Sequence, residues 1–385
     1  MDQITAHHKK EYGVEPSVIC SAPGKIDLLG EHGEFGQGYV ISLAIDRRFY
    51  VAMSRRKDNT LCFYSENLQE RRKITISGLR YRREDRWANY PKGVIDGLIH
   101  MGFKLKGLNI TLFSDVPIGI GLASSSAMTI ASVCALKELF HLDLSDSQII
   151  EAARLAENKF MGLYNGTHSP MVTYFSKKNY FTFIDLKTRS VKYLPLPDKP
   201  VCFAVTDSRV VEAMSDEEKK AIDAACRECS EALGLSQAGK IFRSLKHDDL
   251  AGTIDGLSER SRRMSLHLIT ENERIEEFRK ALKGKVFESL GRIITQSHES
   301  LRDYLEISCP EIDWLIKRSI EIERVYGSRM IGPGYGGCIL TLMDGDARNE
   351  YEECLEEYDR IFGFKASVFL VETEAGALVH LTDAN

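Results

Sequence analysis

Apolar and polar positions follow two rhythms along the chain. Short runs that alternate or are solidly apolar predict strands at 17–21, 39–45, 49–55, 61–65 and 107–113. Longer stretches with apolar residues three and four apart predict a helix at the amino terminus and helices near 87–101, 125–140 and 145–160. A strand pair is expected at 172–175 and 180–185, because β-branched and aromatic residues flank the turn-like Ser176-Lys177-Lys178-Asn179. After a strand at 201–206 the pattern turns mainly helical over 216–326, broken at Gly234 and Pro310. It closes with strands at 337–343 and 366–371 around a helix at 346–362. There is no internal repeat and no low-complexity linker. The prolines at 195, 197 and 200 make 185–200 the expected junction of two domains, 1–190 and 191–385.

A chain of 385 residues is long enough for each domain to bury its own core. The net charge of -5 gives no basic footprint for nucleic acid, and runs such as Arg71-Arg72-Lys73 read as solvated faces. Nine cysteines, an odd number at irregular spacings, fit reduced thiols. Cys226 and Cys229 form a lone Cys-x-x-Cys without a second pair or nearby histidines to complete a metal site. No stretch approaches a membrane span, and the amino terminus lacks an apolar signal core. A cytoplasmic protein, monomeric or weakly associating, is the expectation, with small molecules as partners and neither nucleic acid nor membrane.

Three glycine-bearing segments carry the candidate chemistry. In Val116-Pro117-Ile118-Gly119-Ile120-Gly121-Leu122-Ala123-Ser124-Ser125-Ser126-Ala127, two glycines and three hydroxyls lead into an apolar helix. Backbone N–H groups there can close around an anion at the helix's positive end, which reads as a triphosphate cradle. It is not a Walker loop, since no Gly-Lys-Ser/Thr follows, and an ordinary glycine turn with a serine N-cap is the alternative. Near the amino terminus, Ala22-Pro23-Gly24-Lys25-Ile26-Asp27-Leu28-Leu29-Gly30-Glu31-His32-Gly33-Glu34-Phe35 crowds donors and acceptors that can ring a polyol. Late in the chain, Gly332-Pro333-Gly334-Tyr335-Gly336-Gly337 leads into an apolar strand and lets main chain approach another element closely.

Together these segments resemble the three signature motifs of the GHMP kinases, and most closely those of the galactokinase branch. Trp87-Ala88-Asn89-Tyr90, Ala156-Glu157-Asn158-Lys159-Phe160 and Ser297-His298-Glu299-Ser300 resemble further segments of that branch, so the similarity spans roughly the whole chain. The resemblance implies an α+β fold of two domains. The first would be of ribosomal-protein S5 type and the second ferredoxin-like, with both ligands in the cleft between. It implies ATP and magnesium as cofactors and a sugar as acceptor. Pro117, Gly119, Gly121, Leu122, Ser124, Ser125 and Ser126 would wrap the phosphates, and Trp87 and Tyr90 would border the adenine. Ser126 and Glu157 would hold the metal, hard oxygen donors that leave positions for water and phosphate. Glu31, His32 and Glu34 would contact the sugar, with Lys25 as electrostatic stabiliser.

The departures fall on residues that do chemistry in that family. Lys25 stands where its members carry arginine, keeping the charge but losing the planar fork. Asp27 stands for asparagine, and Gly33-Glu34-Phe35 for Thr-Asp-Tyr. Ser169, in Gly166-Thr167-His168-Ser169-Pro170, occupies the position of the catalytic aspartate. A serine is no general base at neutral pH, so a base-assisted route would need His168. The family's Tyr-x-x-Arg-Arg is missing too, with Glu218, Lys219 and Lys220 near its place. Phosphoryl transfer survives such a loss, because positioning and electrostatics carry most of the rate. Three readings follow: a kinase acting on the anomeric hydroxyl of galactose or a related sugar, a binding-only ATP and sugar sensor, and a kinase for another small alcohol.

Overall fold

The computed structural model describes residues 2–197, 201–211, 214–235, 242–246 and 257–382. Helix α1 (Asp2–Tyr12) leads into β1 (Val18–Leu29), β2 (Tyr39–Arg55), β3 (Thr60–Ser65) and β4 (Glu70–Thr75). Next come α2 (Asn89–His100), β5 (Leu108–Ser114), α3 (Ser124–Phe140), α4 (Asp146–Leu155), α5 (His168–Phe175), β6 (Tyr180–Asp185) and β7 (Ser190–Pro195). After β8 (Val201–Asp207) follow α6 (Asp216–Ala232), α7 (Glu259–Gly284), α8 (Phe287–Asp303) and α9 (Pro310–Ile320). The chain closes with β9 (Val325–Ile331), β10 (Cys338–Asp344), α10 (Arg348–Phe362), β11 (Ser367–Val371) and β12 (Leu378–Thr382).

The strands form two sheets. The first runs β12-β1-β2-β5-β3-β4, with β6 and β7 joined to one end of β2. The second runs β11-β8-β10-β9, all antiparallel. Its strands enter in the order strand, helices, strand, strand, helix, strand, which is the ferredoxin-like arrangement the sequence led us to expect. Helices α2 to α5 cover one face of the first sheet, where Val51, Phe63 and Ile110 meet Val94, Ile130 and Val133. The other face, through Ile26, Leu28, Ile41 and Leu43, shares a core with α7, α8 and the second sheet. The two sheets are therefore held against one continuous apolar layer, and the cleft opens at its margin.

Several expected elements differ. Residues 172–175 are the end of helix α5, not a strand, so 176–179 links a helix to β6 and closes no hairpin. Propensity favoured a strand there, but burial of Met171 and Val172 in the core decides the conformation. Pro170 sits in the first helical turn, where its missing N–H leaves no gap. The runs 39–45 and 49–55 are one continuous strand. Strand β4 went unread because Glu-Arg-Arg-Lys looks like a solvated turn; charge on an edge strand blocks further pairing. The expected junction at 185–200 contains β7, which pairs with β6 in the first sheet, and residues 198–200 lie outside the described residues. Strand β12 also returns to pair with β1. The first sheet thus draws on both sides of residue 190. All nine cysteines are free thiols.

Helix α1 is pinned by His8, whose ring nitrogens lie 2.9 Å from the hydroxyls of Thr111 and Ser54. Burial holds the His8 pKa down, to about 4, against the weaker upward pull of Glu15. The unfolded chain takes up a proton near pH 6.5 that the folded chain refuses until about pH 4. Stability contributed by a neutral His8 is therefore lost as pH falls through that window. Relative to His8→Gln, whose amide can bond both hydroxyls without titrating, the wild type should lose on the order of 2–3 kcal/mol between pH 6.5 and 4. Thermal melts of both proteins across this range check it; parallel curves would contradict it.

Candidate functional site

A cleft of about 590 Å³ lies where the three glycine-bearing segments meet. Gly121 has a φ of 87°, and a Cβ on it would stand 3.0 Å from the Cα of Gly332. The early segment joins them: the Lys25 N–H donates to the Leu122 carbonyl at 3.1 Å, and the Gly332 N–H donates to Glu31 Oε1 at 2.9 Å. Residues more than 200 positions apart in sequence thus form one wall. Gly121→Ala should cost about 1–2 kcal/mol through the left-handed backbone alone, and more through the contact with Gly332. Thermal melts with and without a nucleotide test this, the variant being expected to lose both stability and nucleotide affinity.

Between the two readings of the serine run, the backbone decides. The N-cap of α3 is Ala123, in the left-handed region (φ 57°), and it supplies no side-chain cap. Ser124, Ser125 and Ser126 lie inside the first turn, so the ordinary serine N-cap is not what this sequence makes. The N–H groups of that turn have no partner four residues back, and Ser124, Ser125 and Ser126 line the cleft with Gly119 and Gly121. Leu122 lines the cleft as well; Pro117 does not, and only leads into the loop.

Opposite this turn stands Glu157, fully inside the protein on a single π-helical turn, Ala156–Phe160. Its Oε2 accepts from Asn165 Nδ2 at 2.9 Å, while its Oε1 is buried and has no partner. Burial raises the Glu157 pKa, and Asn165, Ser125 and Ser126 only partly offset that. A buried carboxylate oxygen left without a hydrogen-bond partner, close to the Ser125 and Ser126 hydroxyls, fits a hard divalent cation. Trp87 lines the far, apolar end with Phe49, Leu68, Tyr90 and Met128, its indole N–H donating to Glu70 Oε2 at 3.0 Å.

The polar end is built on β1. Lys25 and Asp27 are two apart on a strand, so both side chains face the cleft while Ile26 and Leu28 face the core. Register shifts at Pro23/Lys25 and Asp27/Leu29 aim this pair. Lys25 Nζ donates to Asp27 Oδ2, and Ser42 Oγ donates to Asp27 Oδ1 at 2.5 Å. His168, the first residue of α5, comes to meet them. Its Nε2 lies 3.2 Å from Asp27 Oδ2, 3.3 Å from Lys25 Nζ and 3.3 Å from Ser169 Oγ, and its Nδ1 lies 3.8 Å from Glu34 Oε2. Burial and Lys25 pull the His168 pKa down, but Asp27 and Glu34 outweigh them and raise it. Asp27 is held far below the usual carboxylate range: burial pushes it up, but Lys25 and His168 pull harder.

Of the expected sugar contacts, His32 and Glu34 line the cleft with His32 Nε2 and Glu34 Oε2 unpartnered. Glu31 lines the cleft as well, and it has structural partners besides. Its Oε2 is ion-paired with Arg329 at 2.8 Å and its Oε1 takes the Gly332 N–H, so both oxygens brace the wall. Burial pushes the Glu31 carboxyl up, to about 7, against the pull of Arg329. Arg329 is fully buried and also donates to the carbonyls of Leu28 and Met330 and to Ser297 Oγ. Ser297 Oγ in turn donates to Glu271 Oε1, which also accepts the Gly30 N–H at 2.7 Å.

Sequence reading passed over Asn165 and Tyr164, and named Lys219 only as standing near the place of the missing Tyr-x-x-Arg-Arg; all three line the same cleft. Lys219 Nζ reaches Asn165 Oδ1 at 3.3 Å, and Tyr164 stacks on Phe35 with ring centres 6.3 Å apart. Asn165, directly before the Gly166 turn, was the one findable signal; nothing local marks Lys219 among its charged neighbours. No helix among the described residues is long and apolar enough to cross a membrane.

Comparison with known proteins agrees with this geometry. The chain matches the family models described as galactokinase galactose-binding signature over residues 6–55, GHMP kinases N terminal domain over 89–175 and GHMP kinases C terminal over 278–360. It is 34% identical to a putative galactokinase of Treponema pallidum (strain Nichols), covering 98% of this chain and 96% of that protein. It is 30% identical to the galactokinase of Homo sapiens, covering 96% and 94%. The fold superposes on a Lactococcus lactis galactokinase complexed with galactose with a TM-score of 0.91 and 23% identity, covering 98% and 99%. A mevalonate kinase superposes with a TM-score of 0.64.

Proposed function

The chain belongs to the galactokinase family of the GHMP kinases, and from that premise we propose that it transfers a phosphoryl group from ATP to the anomeric hydroxyl of galactose or a closely related sugar. The observation that carries the reading is the meeting, in one cleft, of the Gly119 to Ser126 loop at the start of α3 and a Lys25–Asp27–His168 cluster. The N–H groups of the Gly119 to Ser126 turn cradle the phosphates, and Trp87 borders the base. Ser126 and Glu157 would hold magnesium, which when bound would supply positive charge against the transferring phosphoryl group.

His32, Glu34 and Asn165 offer donors and acceptors to the sugar. Lys25 stabilises negative charge as it develops, a role a compact ammonium can fill without the fork of arginine. The proton of the attacking hydroxyl passes to His168 Nδ1, the ring nitrogen without a hydrogen-bond partner, because Nε2–H is directed to Asp27 and Ser169 itself cannot take it. The new bond joins the anomeric oxygen to the γ-phosphorus, and the bond from that phosphorus to the β,γ-bridging oxygen breaks as ADP leaves.

The test is turnover with ATP, magnesium and a panel of hexoses, pentoses and uronic acids, following ADP and locating the phosphate by phosphorus NMR. An anomeric phosphate on galactose or a near relative is the expected product. ADP at background with every sugar would overturn the enzymatic reading, and sugar binding by calorimetry without turnover would make the protein a sensor. Phosphorylation of a non-sugar alcohol alone would move it to another branch of the superfamily.

A further inference from the structure

We propose that Asp27 is a positioning residue for the transfer, supplying beneath His168 the carboxylate charge that Ser169 cannot supply. This rests on the kinase reading above. The observation is geometric. Among the described residues, Asp27 is the one carboxylate at hydrogen-bond distance from the His168 ring, 3.2 Å, and its other oxygen is fixed by Ser42 at 2.5 Å. Asp27 lines the cleft beside His168 but is 3% exposed, and its two oxygens are already engaged by Ser42, Lys25 and His168, which places it to act through the histidine. A buried carboxylate that contacts both the base and the electrostatic stabiliser does two things. It orients the imidazole and balances the imidazolium formed when the hydroxyl proton arrives, as an acidic partner does for other working histidines.

The charged groups around His168 act in both directions. Lys25 and Asp27 face it from β1 and Glu34 from the Gly33–Gly36 turn, with Glu31 and Lys219 further along the same wall. Lys25 opposes a proton on the ring, whereas Asp27 and Glu34 favour it, and the balance falls to the carboxylates. Without Asp27, Lys25 would be left unneutralised 3.3 Å from the ring, and the imidazole would become a weaker base.

The experiment compares wild type, Asp27→Asn and Asp27→Asn/Ser169→Asp across pH, using the sugar that the wild type turns over. Absence of wild-type turnover defeats the kinase reading itself, separately from this inference. With turnover present, Asp27→Asn should lower kcat by about 10–100-fold, the scale on which outer partners of functional histidines act. It should also move the acid limb of kcat/KM to lower pH, which a merely structural lesion would not do. Ser169 Oγ is 3.3 Å from His168 Nε2, so a carboxylate placed there can replace the lost partner. The double variant should recover rate and keep an acid limb in the histidine range.

An Asp27→Asn enzyme with unchanged rate and acid limb overturns the proposal. So does a double variant no faster than the single one, or one whose acid limb moves into the carboxylate range. If Asp27→Asn does not fold, histidine NMR of the wild type decides: His168, assigned with His168→Gln, must titrate above 6.5, and a midpoint at or below that value overturns the proposal.

Discussion

Replacing Arg329 with alanine is expected to destabilise the fold by about 3–5 kcal/mol, the scale for breaking a buried ion pair from one side. The guanidinium is fully buried and serves Glu31, Ser297 and the carbonyls of Leu28 and Met330 at once, so its loss leaves several acceptors dry. Glu31 suffers most. Burial already raises its pKa, and Arg329 is the main force holding it down. Without that partner the folded-state pKa rises further above the unfolded one, so stability is lost as pH climbs through an even higher value. The penalty should therefore be larger at pH 8 than at pH 6, as read by denaturant melts. Arg329→Ala with Glu31→Gln should recover part of the loss, since no lone charge remains; a double variant as unstable as the sum of the singles would contradict the pairing. Activity should fall too, because Glu31 carries the Gly332 N–H that seats the late glycine loop against Gly121.

His168→Ala is expected to reduce kcat by about 10²–10⁴-fold, the usual worth of a general base. The affinity for a non-hydrolysable magnesium nucleotide should stay near the wild type, because the phosphate loop and Glu157 are built on other elements. In the wild type the acid limb of kcat/KM should lie above pH 6.5. The raised His168 pKa means the ring is protonated, and useless as a base, until the pH exceeds that folded-state value. In the alanine variant this limb should vanish. A variant with full kcat would transfer the burden to positioning and electrostatics alone, with Lys25 as the residue left to examine.

The three glycine-bearing segments that meet at the cleft were legible because each is local: glycines, polar groups and a following helix or strand lie close together in sequence. So were most helices, whose apolar spacing is long enough to register. Helix α5 was misread since its β-branched and aromatic end suits a strand by propensity, and only packing of Met171 and Val172 overrides that. Strands β7 and β12 were invisible because their reason to exist is a partner far away in sequence. The same holds for the site. His32 and Glu34 could be named from their segment, but the spending of Glu31 on Arg329 depends on a residue 298 positions later. Asp27 was legible only as a departure from asparagine, and its partner His168 comes beside it at the start of a helix whose apolar pattern is too short to register.

A crystal structure with magnesium, a non-hydrolysable ATP analogue and galactose tests the central claim most directly. The expected result places the phosphates against the amides of residues 119–126, the metal on Ser126 and Glu157, and the anomeric oxygen between Lys25 and His168. Phosphates seated away from that turn, or a sugar bound outside the His32 and Glu34 wall, would contradict it.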